Sequence, residues 1–161
     1  ADDYNENIEF AEKVNKLALA VVGTNRMISE TTAKVEKIKQ AIYATPGAGQ
    51  ELMDKARAIG VELEALNFRM DGVPARASWE EIPPAQVPLN NRLSNITYTH
   101  MGSTTGITTT EKQAYEILKD EFPPVLEALK NIVEKEVPAL EAELNKMNAP
   151  WTPGRLPEWK E

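Results

Sequence analysis

Residues Asn7 to Ala44 read NIEFAEKVNKLALAVVGTNRMISETTAKVEKIKQAIYA, and the spacing of their apolar side chains decides the fold. With Val14 at heptad position a, the a positions are Val14, Val21, Ile28, Val35 and Ile42. The matching d positions are Phe10, Leu17, Thr24, Thr31 and Ile38. Residues four and three apart share one face of an α-helix, so this pattern predicts a single amphipathic helix about 57 Å long.

The phase of this pattern passes through Gly23 without a shift. A glycine costs the interior of a helix only about 1 kcal/mol, whereas a break in the helix would normally reset the phase. We therefore predict one continuous helix. The threonines at positions 24 and 31 weaken the middle of its apolar seam, and any bend is expected near Gly23 and Thr24.

A second helix follows a short run of helix breakers, Thr45-Pro46-Gly47-Ala48-Gly49. Its apolar residues are again four and three apart: Leu52, Ala56, Ile59, Leu63, Leu66 and Met70. A connection this short makes the two helices antiparallel neighbours, and the second is expected to end near Asp71-Gly72.

Residues 73–87 have no helical period and contain Pro74, Pro83 and Pro84. We expect a crossover there, attached to the core by Trp79 and Ile82. Pro88 suits the first turn of a third helix, whose predicted apolar face holds Leu89, Leu93, Ile96 and His100.

Thr108 and Glu111 are spaced as a capping box, which predicts that a fourth helix begins there and runs to residue 147. Its apolar stripe is Tyr115, Leu118, Phe122, Val125, Leu129, Ile132/Val133, Val137, Leu140, Leu144 and Met147. Pro123-Pro124 and Pro138 should kink this helix or divide it.

The tail, residues 148–161, carries Trp151 and Trp159 among three prolines. We expect it to be extended and docked, because two exposed tryptophans in a solvated tail would be unfavourable. The whole chain then reads as an all-α, up-and-down four-helix bundle. It would form one domain of 161 residues: a helical hairpin (1–72), the crossover (73–87), a second helical pair (88–147) and the tail (148–161).

Composition excludes several classes of function. The formal net charge of −7, without a basic stripe, argues against a nucleic-acid binder. No apolar run approaches the ~20 residues that span a bilayer, so no membrane insertion is expected. The chain has no cysteine, which excludes disulfides and thiolate metal sites.

Catalytic and metal-binding patterns are also missing from the sequence. The di-metal sites of helical bundles use a Glu-x-x-His pair on each of two helices, but the single histidine, His100, follows Thr97 by three residues. The acid pairs Asp120/Glu121 and Glu141/Glu143 are expected on exposed helix surfaces, where carboxyl groups are inert. We predict no catalytic residue, no metal and no cofactor.

Four residues remain as candidate contacts to a partner or ligand: Trp151, Arg155, Trp159 and Trp79. The three in the tail could bind an aromatic or carboxylate group, or they could only cap the open end of the bundle.

Several motifs point to a family. They are Val22-Gly23-Thr24-Asn25-Arg26, Pro88-Leu89-Asn90-Asn91-Arg92-Leu93, Val137-Pro138-Ala139-Leu140 and Pro150-Trp151-Thr152-Pro153-Gly154-Arg155-Leu156-Pro157. With the order of elements, they make nearly the whole chain resemble the C-terminal helical region of bacterial, Bacteroidetes-type sortilin-like BNR-repeat β-propeller proteins, which are often labelled glycosyl hydrolases. The start at Ala1 without a methionine is expected for a chain that is processed or excised from a longer protein.

The resemblance implies a secreted or periplasmic location and a β-propeller preceding the bundle. It implies a non-catalytic interaction or scaffolding module, whose partner is its own N-terminal propeller or another protein. A small-ligand or carbohydrate-binding module, with Trp79, Trp151 and Trp159 stacking on a sugar, is the alternative. We expect a monomer, because the seams of the first two helices can close within one chain.

Overall fold

Helices make up most of the part of the chain that the computed structural model describes, residues 2–72, 86–102 and 106–161. The elements are α1 (Asp2–Tyr43), α2 (Gln50–Asp71), α3 (Leu89–Gly102), α4 (Thr109–Asn131), a π-helical turn (Ile132–Glu136) and α5 (Val137–Lys146). No strand occurs in these ranges, and the predicted all-α bundle is confirmed.

Helix α1 is continuous through Gly23, as its heptad phase predicts. The predicted a and d positions, here called the inner seam, are all buried except the half-buried Leu17. The two threonines of the seam, Thr24 and Thr31, are only 3% and 5% exposed. The helix begins at Asp2, before the predicted start at Asn7. The apolar pattern does not reveal this earlier start, because the first turn of the helix carries no inner-seam residue.

The turn between α1 and α2 is closed by local hydrogen bonds. The Thr45 hydroxyl donates to the carbonyl oxygen of Ala41 at 2.6 Å, and the backbone N–H of Ala48 donates to the Thr45 carbonyl oxygen at 3.2 Å. Helix α2 buries Leu52, Ala56, Ile59, Leu63 and Met70 and ends at Asp71, as predicted.

Two compact units can be distinguished, and each has its own apolar core. Unit 1 consists of Ala1–Arg26 and Leu66–Glu127, and its largest fully buried side chains include Met70, Leu89, Ile96 and Leu118. Unit 2 consists of Met27–Ala65 and Ala128–Glu161; among its fully buried side chains are Ile38, Leu63, Ile132 and Leu144.

The capping box that opens α4 is formed by both predicted residues. The Glu111 backbone N–H donates to the Thr108 hydroxyl at 3.2 Å, and the Thr108 N–H donates to Glu111 Oε2 at 2.7 Å. Two backbone donors that a helix start leaves unpaired are thereby satisfied.

Of the prolines in the fourth predicted helix, only Pro138 lies near a change of helix type. Pro123 and Pro124 lie inside α4 without ending it, whereas Pro138 is the second residue after the π-helical turn. Buried Ile132 and Val137 are five residues apart, and the Val137 N–H donates to the Ile132 carbonyl, as a π turn requires. The wider turn precedes a residue that has no N–H to continue the regular ladder.

One expectation is wrong, and two others concern residues or side chains outside the described ranges. Met147 follows the end of α5 and is 40% exposed, so it does not extend the apolar stripe. The crossover with Trp79 and Ile82 lies outside the described residues, as does the side chain of His100. In the described ranges, no helix is long and apolar enough to cross a membrane.

Candidate functional site

The C-terminal tail leaves α5 through a backbone turn at Asn148. This residue adopts a positive φ of 54°, a conformation that asparagine tolerates at helix ends. The backbone N–H of Ala149 then donates to the Leu144 carbonyl oxygen at 3.1 Å. The chain is thereby redirected at the end of the helix.

A second turn, at Pro153-Gly154, brings the following arginine to α5. Gly154 has φ +85°, the value that the third residue of a type II turn needs, and proline favours the position before it. Thr152, just ahead of the turn, is 4% exposed, so the tail is docked at this residue.

Arg155 holds the tail through three contacts in unit 2. Its Nε lies 2.8 Å from Glu141 Oε2, one terminal nitrogen donates to Asn145 Oδ1, and its guanidinium carbon lies 4.5 Å from the centroid of the Trp151 ring. A charge-assisted hydrogen bond and a cation–π contact thus share one side chain.

Glu141 joins a network of three charges, in which the Lys34 side chain is 32% exposed. Its other oxygen, Oε1, lies 3.0 Å from Lys34 Nζ on α1. The side chains of Glu141 and Arg155 are only 9% and 13% exposed. We call Lys34, Glu141 and Arg155 the tail clamp.

The tail clamp corrects two expectations. Glu141 is buried rather than on an exposed surface, and it lies four residues after Val137 and three before Leu144, a spacing that could have revealed it. The tail is extended and docked as predicted, but Trp151 and Trp159 are 44% and 83% exposed. The tail is therefore docked by Thr152 and Arg155, and the expected burial of its tryptophans was wrong.

The four candidate contact residues have different positions. Arg155 is engaged in the tail clamp, and Trp151 lies against its guanidinium. Trp159 points into solvent, as does Leu156, which is 90% exposed and was not among the candidates. Trp79 lies outside the described residues.

A second polar cluster, in unit 1, links α1, α2 and α3. The side-chain amides of Asn25 and Asn90 exchange hydrogen bonds of 2.8 and 3.2 Å, and Asn90 also donates to Asp71. This amide pair fixes the start of α3 against α1 and the end of α2.

Two arginines converge on one carboxylate nearby. Glu121 Oε2 lies 2.5 Å from Arg69 Nη2 and 3.7 Å from Arg92 Nε, while Arg69 also donates to the Val87 carbonyl oxygen. Glu121 was expected on an inert exposed surface, but its side chain is 34% exposed and carries this structural pairing.

A pair of carboxyl groups lies at the π-helical turn. Burial, and then a hydrogen bond with Glu62, raise the pKa of Glu136 above its ordinary value. Glu136 Oε2 is buried without a hydrogen-bond partner. The pair is therefore favourable when it holds a proton and unfavourable when both groups are ionised.

We expect Glu136→Gln to stabilise the chain at pH 7 more than at pH 4. A carboxyl whose pKa is raised by folding contributes stability below its unfolded pKa, and this contribution is lost as pH rises through the folded pKa. Urea unfolding at both pH values measures the difference. Glu134→Gln, at an exposed position of the same turn, is the control, and an equal gain from both variants at pH 7 would contradict the pairing.

The described residues include grooves but no cluster of three possible metal ligands. No three histidine, aspartate or glutamate side chains among them come together as a possible metal site. One groove of 250 Å³ in unit 1 is lined by Phe10, Ile107 and Tyr115 together with Glu6, Lys13 and Lys112. Lys112 there pairs with Glu6 at 2.5 Å, and this hydrogen bond lowers the pKa of Glu6.

Comparison with known proteins adds no further relative. No known protein family matches the chain, and neither a curated protein nor a solved structure is similar to it. The resemblance to propeller-associated bundles therefore remains a prediction from the motifs.

Proposed function

We propose that this chain is a non-catalytic interaction module, the C-terminal helical bundle of a secreted or periplasmic sortilin-like β-propeller protein. Its partner is the preceding propeller or another protein. Its role is to pack against that partner and hold it in place.

The arrangement of the tail is the observation that supports this proposal most. The tail clamp and the buried Thr152 fix residues 152–155 on the bundle. Directly after them, Leu156 and Trp159 are 90% and 83% exposed. Large apolar side chains on an anchored segment are typical of contact sites, and tryptophan is enriched among the residues that dominate binding energy.

The positions of the motif residues also support a structural role. Asn25 and Asn90 pair with each other, Pro138 follows the π turn, and Arg155 binds Glu141. Each of these residues lies at a junction between elements. A resemblance carried by such residues favours a shared fold rather than a shared active site.

The proposal is tested first by the gene, which should encode BNR repeats upstream of this chain. The propeller produced separately should then bind the chain in a calorimetric titration. We expect Leu156→Ala/Trp159→Ala to weaken this binding at least tenfold, because losing an aromatic anchor typically costs about 2 kcal/mol or more.

The matched control is Glu158→Ala/Lys160→Ala, which changes exposed residues of the same segment and should leave the affinity nearly unchanged. Neither double variant should alter the melting temperature, since all four side chains are exposed. A propeller that does not bind at high micromolar concentration would contradict the propeller as partner and leave only another protein.

Carbohydrate binding is the second candidate, and the exposure of Trp159 is what favours it. An exposed indole can stack on a sugar ring, although neither Trp151 nor Trp159 lines the groove described above. Oligosaccharides should then quench tryptophan fluorescence in the intact chain but not in Trp159→Ala. Fluorescence that does not respond to any oligosaccharide would exclude this alternative.

A further inference from the structure

Helix α1 carries a second apolar seam beside its inner seam, turned by about 100° around the helix axis. It lies in unit 1 and is here called the outer seam: Tyr4, Ile8, Ala11, Asn15, Ala18 and Val22. These residues are four and three apart throughout. Tyr4, Ile8 and Val22 are 71%, 43% and 61% exposed, so the core of the unit does not account for them.

The a positions of the outer seam hold residue types found in two-stranded helical interfaces. With Ile8, Asn15 and Val22 at a, the d positions are Tyr4, Ala11 and Ala18. Leucine at d, which favours parallel dimers together with β-branched residues at a, is missing, so the indication comes from Asn15: a single asparagine at a fixes register and oligomeric state. The asparagine is best paired by an identical asparagine at the same level of a parallel partner.

Leu19 provides an independent indication of the partner. This side chain is 68% exposed and falls at heptad position e of the outer seam. In a parallel, in-register pair, an e residue lies beside the g residue five positions earlier in the other helix. The g residue opposite Leu19 is Val14.

Val14 lines an apolar groove of 190 Å³ between α1 and α3. Phe10 and Ile96 also line it, together with the small side chains of Ala11 and Ala18, which allow a second helix to approach closely. The chain thus presents both an exposed Leu19 and, at the matching level, a groove suited to receive it.

We propose that two copies of this chain associate through their outer seams, with the two α1 helices parallel and in register. Leu19 of each copy enters the groove of the other, and the two Asn15 side chains pair at the centre. A monomer is expected when only the inner seam of α1 and the apolar seam of α2 are considered, because these two can close within one chain. This self-association does not depend on a propeller.

The outer seam spans 19 residues from Tyr4 to Val22, or about 27 Å of helix. Its alanines bury little apolar surface, so we expect a weak dimer that forms at micromolar concentrations. The dimer should therefore be visible in concentrated samples and dissociate on dilution.

Cysteine cross-linking tests the register, because the natural chain has no cysteine. Two Val22→Cys copies would face each other at an a position and should oxidise to a covalent dimer at least fivefold faster than Ala20→Cys. Ala20 is exposed on the same helix but lies off the outer seam. Equal rates for the two variants would overturn the proposal, as would preferential cross-linking of a Tyr4→Cys copy to a Val22→Cys copy.

Sedimentation equilibrium tests the affinity. Leu19→Asp should weaken the dimer at least tenfold, and Asn15→Ile should strengthen it at least tenfold, since a buried asparagine costs stability. Both positions are exposed, so unchanged helix content and melting temperature of the dilute protein verify the fold. A chain that stays monomeric at high micromolar concentration, or a dimer insensitive to both substitutions, would overturn the proposal.

Discussion

Replacing Glu141 by alanine should lower the free energy of unfolding by about 3 kcal/mol, one of the two largest effects of a single substitution that we expect. The carboxylate lies between Lys34 at 3.0 Å and Arg155 at 2.8 Å, and its side chain is 9% exposed. Without it, Lys34 and Arg155 face each other with no carboxylate between them, and the Arg155 side chain is only 13% exposed. Arg155 must then leave the site, and the tail must leave with it.

Glu143→Ala is the matched control, two residues away on the same helix. Glu143 pairs with Lys55 at 3.1 Å, but these side chains are 39% and 46% exposed. An ion pair in contact with solvent contributes at most about 1 kcal/mol, so this variant should lose little stability. Urea unfolding followed by circular dichroism measures both variants.

Tryptophan fluorescence distinguishes loss of the tail clamp from general destabilisation. Trp151 lies against Arg155, so Glu141→Ala should change its emission already in the folded protein, whereas Glu143→Ala should not. Equal losses of stability in the two variants would show that burial of the tail clamp has no energetic consequence.

The elements predicted correctly are those that depend on residues close in sequence. The inner seam of α1 follows from spacing alone, because a regular helix places residues four and three apart on one face. The Thr108–Glu111 capping box is closed by two residues that are three apart, and both of its hydrogen bonds are formed. No distant part of the chain is needed for either.

The tail was predicted only in outline because its contacts join distant residues. Three prolines and two tryptophans indicate an extended, docked segment, but not which side chains make the contact. Arg155 makes the contact because it pairs with the buried carboxylate of Glu141, which lies on another segment and also pairs with Lys34. The tryptophans are then left at the surface.

Two other features, the π turn and the outer seam, have a spacing pattern in the sequence that does not by itself identify them. The step of five between Ile132 and Val137 marks the π turn, yet Val133 also allowed a regular step of four. The outer seam has the same 4-3 spacing as the inner seam, and only the exposed fractions of Tyr4, Ile8 and Val22 distinguish it within the described part of the chain.

The second large effect is expected for Gly72→Ala, which should cost about 2 to 4 kcal/mol in unfolding free energy. Gly72 ends α2 with φ +75°, a conformation that costs a residue with a side chain roughly 1 to 2 kcal/mol. A Cβ atom at this position would also lie 2.7 Å from Pro88 Cγ. The two penalties arise from different causes and should add.

Gly47→Ala separates the backbone penalty from the steric one. Gly47 has φ +86°, but a Cβ atom there would meet no atom within 4 Å, so only the backbone penalty applies. We therefore expect Gly72→Ala to cost at least about 1 kcal/mol more than Gly47→Ala.

The contact with Pro88 can be tested directly by a double-mutant cycle. Pro88→Ala removes the Cγ and Cδ atoms near Gly72, so adding Gly72→Ala in that background should cost no more than Gly47→Ala costs in the natural chain. Equal costs of Gly72→Ala with and without the proline ring would mean that α2 and α3 can separate enough to admit a methyl group. The close packing of Gly72 on Pro88 would then not be what holds the end of α2 to the start of α3.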